Sequence, residues 1–182
     1  MASFSYVTGV TDLSHQLIKR LFPKGGQVAI DATLGNGHDS DFLATLFDTV
    51  YALDISFKAV DSYQESENVV KVCMDHAAIE SFHAHPELIV YNLGYLPGSD
   101  KSLTTVADTT ISSLKGALKM LRPGGFISIA LYTGHDGGRE AQAVLSFIRM
   151  LSTKHFGVIH HTFINRGNHP PSLLIIEKKR NH

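Results

Sequence analysis

The segment 28–39, with the sequence VAIDATLGNGHD, constrains the fold of this chain more than any other feature. An apolar run leads directly into a turn with two glycines, and a helical pattern follows from about residue 39. Gly35 and Gly37 carry no side chain, so the backbone can pass close to a ligand there. The segment therefore predicts a strand, a ligand-binding turn and a helix, the arrangement that opens many parallel α/β sheets.

Short apolar runs alternate with helical periodicity along the rest of the chain. We predict helices at about 13–22, 39–47, 105–121 and 139–151, and strands at 28–32, 50–55, 69–74, 88–92, 126–132, 156–164 and 172–178. Thr11 or Asp12 is expected to cap the first helix, and 62–68 and 77–86 to be short connections. This order predicts a Rossmann-like α/β fold: a seven-stranded, mostly parallel sheet with helices on both faces, ending in an antiparallel hairpin at the sheet edge.

Length and charge limit the class of protein. A chain of 182 residues that is 43% hydrophobic fits one domain over 1–182. Neither a membrane-spanning apolar run nor a signal-peptide pattern is present, so we expect a cytoplasmic protein without a membrane partner. A formal net charge of -1 excludes the uniform positive field of non-specific nucleic-acid binders, so any RNA must be held locally. Cys73 lies in an apolar run and is expected to be buried.

Acidic residues at strand ends indicate the kind of ligand. Asp54 ends the second predicted strand, where its carboxylate can accept hydrogen bonds from both hydroxyls of an adenosine ribose. A dinucleotide-binding turn would carry a third glycine where this chain has Ser40, which disfavours a dinucleotide. The alternative for Asp54 and Asp75 is that each only caps the helix that follows.

The pattern D-A-T-x-G-x-G at 31–37 resembles the first motif of class I methyltransferases, whose cofactor, S-adenosylmethionine, carries no phosphate. The resemblance implies that Asp75 lies against the adenine amino group. Asp31 either reaches the methionine amine or orients the turn. His38 either lines the turn or is a solvated loop residue. The residues expected to contact the cofactor are Asp31, Thr33, Gly35, Asn36, Gly37, His38, Asp39, Asp54, Ile55, Asp75, His76 and Asn92.

The fourth predicted strand ends at Asn92, and Tyr95 follows three residues later, at the carboxyl edge where open α/β sheets bind substrates. In amino-directed methyltransferases an Asn/Asp-Pro-Pro-Tyr/Phe tetrapeptide at this place accepts hydrogen bonds from the target amine, and its ring packs on the base. Asn92 and Tyr95 resemble its two chemical elements, so catalysis would consist mainly of positioning. If the amine arrives protonated, Tyr132 or His135 is the candidate to take the proton.

Motifs along nearly the whole chain resemble the rRNA-methylase-like family of class I methyltransferases. They are D-A-T-x-G-N-G-H-D at 31–39, N-L-G-Y-L-P-G at 92–98, D-K at 100–101, T-T at 109–110, Y-x-G-H at 132–135, G-x-E at 138–140 and F-I-N-x-x-N-x-P-P at 163–171. The resemblance implies a tRNA enzyme that methylates 5-aminomethyl-(2-thio)uridine at wobble position 34 to 5-methylaminomethyl-(2-thio)uridine. It also implies that the protein can form a homodimer.

RNA contacts are expected from a few residues near the substrate edge. Lys101 and Arg166 lie in loops that should border the cleft and contact phosphate, and Asn168 lies beside the second loop. Tyr95 and Tyr132 can stack on an unstacked anticodon base. Because basic residues are few, recognition is expected to be limited to the anticodon stem-loop.

The sequence also bears on metal binding and on alternative functions. We expect no metal site, because neighbouring residues such as His160 and His161 face opposite sides of a strand, and no carboxylate or cysteine completes the set of His83 and His85. The alternative functions are methylation of rRNA or of a small-molecule amine, a nucleotide-dependent oxidoreductase, and a non-catalytic RNA-binding domain.

Overall fold

The computed structural model describes residues 4, 6–64, 66–94, 107–133, 136–167 and 170–181. The strands are β1 Gly26–Asp31, β2 Phe47–Asp54, β3 Val69–Cys73, β4 Leu88–Leu93, β5 Phe126–Leu131, β6 Phe156–His161 and β7 Ser172–Lys178. The helices are α1 Val10–Leu21, α2 His38–Ala44, α3 Phe57–Ser62, α4 Ala107–Met120 and α5 Arg139–Arg149, with a 3₁₀ helix at His76–Ser81.

The seven strands form one sheet in the order β3-β2-β1-β4-β5-β7-β6. All pairs are parallel except those of β7, which runs antiparallel to both β5 and β6. The predicted seven-stranded sheet with an antiparallel C-terminal pair is thus confirmed. The last two strands are not in chain order, because β7 lies between β5 and β6, and β6 forms the edge of the sheet. Accordingly, the apolar Leu173 and Leu174 of β7 are buried, whereas His160 of β6 is exposed.

Helices cover both faces of the sheet because neighbouring strand residues point to opposite sides. Ala29 packs with Ile18 of α1 and Leu43 of α2 on one face. Ile30, the next residue, packs on the other face with apolar residues of α4 and α5. Both faces are therefore closed over the middle of the sheet, which leaves the strand ends as the place for a ligand.

The first helix begins earlier than predicted. It starts at Val10, with Gly9 as its N-cap and no side-chain cap, so the predicted caps Thr11 and Asp12 lie inside its first turn. Val10 is 3% exposed and packs against Ala130 of β5. Because Val10 is buried in this contact, the helix starts about one turn before the position that Thr11 and Asp12 would indicate as caps.

Two further predictions from the sequence are corrected, and two short elements are additional to those predicted. Helix α2 ends at Ala44 instead of 47, because Phe47 is buried as the first residue of β2 and pairs with Gly26. Helix α3 ends at Ser62, where the predicted connection 62–68 begins, and the 3₁₀ helix overlaps the first part of the predicted connection 77–86; both elements are six residues long and show no extended apolar periodicity. Cys73 is exposed instead of buried, because it ends the sheet-edge strand β3.

Within the described residues, no helix is both long enough and apolar enough to cross a membrane. In the same part of the chain, no three His, Cys, Asp or Glu side chains are arranged to hold a metal ion.

Candidate active site

Three of the predicted site residues lie at the carboxyl edge of the sheet. Asp31, Asp54 and Asn92 lie at the ends of β1, β2 and β4, which are neighbours in the sheet. The chain leaves β1 toward β2 on one side and later returns as β4 on the other. Such a point of reversal is where open α/β sheets bind ligands.

The turn after β1 is fixed by Asp54. One carboxylate oxygen of Asp54 accepts a hydrogen bond from the backbone N–H of Gly35 at 2.9 Å, and the other accepts one from Ser56 N–H at 2.8 Å. Gly37 has a φ of 82°, and a Cβ there would lie 2.3 Å from the ring of Tyr63. The second glycine is therefore required by its backbone conformation and by the packing of an aromatic ring, while Asn36 and His38 are exposed.

Asp31 is a fully buried carboxylate beneath this turn. Its two oxygens accept hydrogen bonds from Ser40 Oγ at 2.7 Å and from Thr33 N–H at 3.1 Å. Burial, with a further contribution from the charge of Asp39, raises the pKa of Asp31 to about 7. The site thus holds a carboxylate whose ionised form lacks a positive partner among the described residues, although Ser40 and Thr33 partly stabilise it.

Asn92 is held from two directions. Its backbone N–H donates to Thr33 Oγ1 at 2.7 Å, and its side-chain amide nitrogen donates to a carboxylate oxygen of Asp39. The other oxygen of Asp39 lies 2.6 Å from Nε2 of His15 in α1. Thr33, Asp39 and Asn92, each predicted to lie in the site, thus contact one another, and His15 joins them as an unpredicted fourth residue.

On the far side of Asp54 the surface is apolar. Ile55 is 59% exposed and Phe57 is 70% exposed, although both are large hydrophobic side chains. Asp75 accepts a hydrogen bond from Ala77 N–H at 2.8 Å and caps the 3₁₀ helix, which is the alternative role that the sequence left open for it. His76 is largely buried, and burial lowers its pKa below the ordinary histidine value. Its Nδ1 has no hydrogen-bond partner among the described residues.

Tyr132 follows β5 at the same edge. Its N–H donates to Leu93 O at 3.1 Å, and its Cβ lies 3.0 Å from where Gly94 would carry a Cβ. Tyr132 is 37% exposed. The other predicted reaction residues, Tyr95 and His135, lie outside the described residues.

Arg166 has a structural role. Its Nη2 donates to the carbonyl oxygens of Val7, at 2.8 Å, and Thr8, at 2.5 Å, in the segment before α1. The guanidinium carbon also lies 3.9 Å from the centre of the Phe163 ring. Its predicted contact with RNA phosphate stays a prediction, and Lys101 and Asn168 lie outside the described residues.

Sequence reasoning missed His15 and Ser40. In the sequence, Ser40 differs from its surroundings only in replacing a glycine of the dinucleotide-binding pattern, yet its hydroxyl is the buried partner of Asp31. His15 lies on α1, and its partner Asp39 is 24 positions further along the chain. A polar ring within an amphipathic helix is the only local signal, because the contact depends on how α1 packs across the sheet.

The family model described as "Putative rRNA methylase" matches residues 50–177 of this chain. This match begins within β2, so it rests on the strands and loops after the glycine turn. A curated relative, the chloroplastic tRNA (mnm(5)s(2)U34)-methyltransferase of Arabidopsis thaliana, is 36% identical over 156 residues. That alignment covers 74% of this chain and 57% of the relative, so the chain spans little more than half of the relative's length.

Two solved structures resemble the chain over almost its whole length. One, described as a putative rRNA-methylase from Clostridium thermocellum, is 35% identical with a TM-score of 0.88, and the match covers 94% of this chain and 98% of that one. The other, described as a putative methyltransferase from Streptococcus mutans in complex with SAH, is 34% identical with a TM-score of 0.86, covering 94% and 99%. Because the family model matches well over half of its residues, this chain belongs to the Putative rRNA methylase family and has the Rossmann-like methyltransferase fold.

Proposed function

We propose that this protein transfers a methyl group from S-adenosylmethionine to the primary amine of 5-aminomethyl-(2-thio)uridine at wobble position 34 of tRNA. The product would be 5-methylaminomethyl-(2-thio)uridine. The observation that carries the proposal is the side-chain amide of Asn92, whose nitrogen is bound to Asp39 at the substrate edge. Its oxygen is thereby available to accept a hydrogen bond from an amine. The name of the Arabidopsis relative supports the tRNA substrate.

The residues at the strand ends fit S-adenosylmethionine, which supplies a methyl group on a positively charged sulfur. The buried carboxylate of Asp31 suits the ammonium of the methionine part, because a cation there would favour its ionised form. Each oxygen of Asp54 accepts one backbone hydrogen bond. A carboxylate has about four acceptor positions, so the two ribose hydroxyls can still donate to it.

The apolar surface beside Asp54 suits the adenine ring. Ile55 and Phe57 expose large hydrophobic side chains that would lose contact with water under a planar base. Asp75 and His76 lie at the end of the neighbouring strand, and we propose that they border the adenine amino group. The SAH complex of the Streptococcus mutans relative supports the choice of cofactor.

On the substrate side the chain mainly orients the amine. Asn92 would accept a hydrogen bond from the N–H and align the nitrogen lone pair with the methyl carbon. The new N–C bond forms as the S–C bond breaks, the electron pair of the broken bond stays on sulfur, and the methylated nitrogen keeps its two protons as a secondary ammonium. An aliphatic amine is largely protonated near neutral pH, so one proton must leave the nitrogen before the transfer. We propose Tyr132 or His135 as its first acceptor.

The RNA part of the proposal rests on the same edge. Tyr132 is exposed beside Gly94 and can stack on an unstacked base. Tyr95, Lys101 and Asn168 would complete the contact with the anticodon stem-loop. We propose that the protein works in the cytoplasm, in contrast to its chloroplastic relative, and that it can pair as a homodimer.

Methylation of ribosomal RNA is the second candidate, because the family description names that substrate. Incubation with labelled S-adenosylmethionine separates the two candidates. One acceptor is bulk tRNA that carries unmethylated 5-aminomethyluridine, and the other is ribosomal RNA from the same cells. Nucleoside mass spectrometry should find one added methyl on 5-aminomethyluridine and none in the ribosomal RNA. Transfer to ribosomal RNA alone would overturn the tRNA proposal. RNA binding that is indifferent to cofactor, without transfer to any acceptor, would favour a non-catalytic domain.

A further inference from the structure

Helix α1 reaches across the sheet to the reaction edge through His15. The ring of His15 stacks on Phe42 of α2, with 3.8 Å between the ring centres and 10° between their planes. This packing aims Nε2 at Asp39, 2.6 Å away. The side chain of Asp39 is 6% exposed and that of His15 is 21% exposed, so water competes little for their hydrogen bond.

Asp39 has a different partner on each carboxylate oxygen. Oδ1 faces His15, and Oδ2 faces the side-chain nitrogen of Asn92. An ionised carboxylate only accepts hydrogen bonds, so the group of Asn92 that faces it must be the NH₂ and not the carbonyl oxygen. Asp39 therefore decides which end of the Asn92 amide points away from it.

Asp39 itself is kept in place by His15. A carboxylate with a single donor can rotate about its Cβ–Cγ bond, whereas donors on both oxygens fix its plane. The backbone of Asn92 is held separately through Thr33, so His15 influences only the side-chain end of Asn92. This separation lets the effect of His15 be measured apart from the folding of β4.

We propose that His15 is a positioning residue for methyl transfer: by donating to Asp39, it holds the Asn92 amide with its oxygen toward the substrate amine. This inference rests on the proposed function, in which Asn92 accepts the N–H of the amine. His15 does not touch substrate or cofactor in this scheme. Its removal should therefore slow the transfer step and leave cofactor binding largely unchanged.

The first test compares His15→Ala with His15→Gln, in which the glutamine Nε2 can still donate to Asp39. We expect His15→Ala to lower kcat on the order of 10- to 100-fold, because a small misplacement of a reacting group has a cost of that size. The Kd for S-adenosylmethionine, measured by calorimetry, should stay close to that of the wild type. His15→Gln should recover most of the lost kcat. Gln16→Ala, at the next position of α1, is the matched control and should keep the wild-type kcat.

A double mutant tests whether His15 acts through Asn92. Adding His15→Ala to Asn92→Ala should have little further effect on kcat, since the amide that His15 positions is already absent. If the two losses multiply, or if His15→Ala alone keeps the wild-type kcat while Asn92→Ala is slow, the inference about His15 is wrong and the amine site of Asn92 stands. If Asn92→Ala transfers methyl groups at the wild-type rate, the amine site and the inference fall together.

A measurement without substrate gives an independent readout. The side-chain amide protons of Asn92 can be assigned by NMR from their loss in Asn92→Ala. In His15→Ala these signals should shift and exchange faster with water, while Gln16→Ala should leave them in place. Unchanged Asn92 side-chain signals in a folded His15→Ala protein would overturn the inference, whatever its activity.

Discussion

The backbone N–H of Asn92 donates to Oγ1 of Thr33 at 2.7 Å, which joins the end of β4 to the turn that follows β1. The two residues are 59 positions apart in the chain. Through this bond the substrate side of the candidate site is fixed relative to the glycine turn on the cofactor side. A small displacement at the end of β1 or β4 should therefore affect both the substrate side and the cofactor side of the site.

Thr33→Val removes this hydrogen-bond acceptor while it keeps a side chain of similar shape. The N–H of Asn92 would lose its partner, so we expect the free energy of unfolding to fall by about 1 kcal/mol, or more if water cannot reach the group. Urea unfolding measures the change. Thr33→Ser keeps the hydroxyl and should retain most of the stability; equal losses in the two variants would mean that the methyl group matters and the hydrogen bond does not.

Asn92→Ala should lower turnover by about a hundredfold or more, because its contact with the amine strengthens as the transfer proceeds. The affinity for S-adenosylmethionine should change little. Steady-state kinetics with tRNA that carries 5-aminomethyluridine, together with a calorimetric titration of the cofactor, measures both quantities. Unchanged turnover would remove Asn92 from the mechanism.

Asp54→Ala should have the opposite effect and weaken cofactor binding by about 1 to 3 kcal/mol through lost ribose hydrogen bonds. The melting temperature should also fall, because Asp54 fixes the N–H groups of Gly35 and Ser56. Asp48→Ala, an exposed position at the other end of β2, is the matched control and should change neither quantity. Wild-type cofactor affinity in Asp54→Ala would contradict the assignment.

Asp31 should make the stability of the protein depend on pH. Its pKa is raised from the ordinary aspartate value of 3.8 to about 7, so the folded state holds this proton more tightly than the unfolded state does. The resulting stability is present below about pH 3.8 and is lost as the pH rises to about 7. Relative to Asp31→Asn, the wild type should therefore lose unfolding free energy across this window, as measured by denaturant unfolding at several pH values.

The asparagine variant is a suitable reference because its NH₂ can donate to Ser40, whose hydroxyl also accepts. All other groups that titrate in this window are common to both proteins, so the difference between the two curves isolates Asp31 and its coupling to Asp39. A buried carboxyl group with a raised pKa titrates between about pH 4 and about pH 8. If the difference in unfolding free energy between the wild type and Asp31→Asn stays constant over this range, Asp31 keeps an ordinary pKa.

Arg166→Ala should lower the melting temperature by a few degrees, because two carbonyl groups before α1 lose their donor and Phe163 loses its stacked guanidinium. Arg166→Lys should recover little of this loss, since an ammonium group lacks the planar shape. The dependence of tRNA affinity on salt tests the separate prediction of a phosphate contact. If that contact exists, the slope of log K against log salt should shrink by roughly one in Arg166→Ala. An unchanged slope would leave Arg166 with a structural role alone.

The sequence by itself determined the elements that depend on local pattern. The apolar run before Gly35 and Gly37 predicts β1, the turn and α2, because strand burial and a positive φ leave direct traces in residue type. The sequence also placed Asp54 and Asn92 at one edge of the sheet, because the carboxyl ends of neighbouring parallel strands meet there. The residue motifs were sufficient to recognise the family, which the match over 50–177 supports.

Only the tertiary structure decided which distant groups meet. The pairs His15 with Asp39 and Asp39 with Asn92 are separated by 24 and 53 positions, and no local pattern encodes how α1 crosses the sheet. The same limit explains why β7 inserts between β5 and β6 and why Cys73 is exposed on an edge strand. Propensity and periodicity act over a few neighbouring residues, whereas hydrogen bonds between side chains depend on the packing of whole elements.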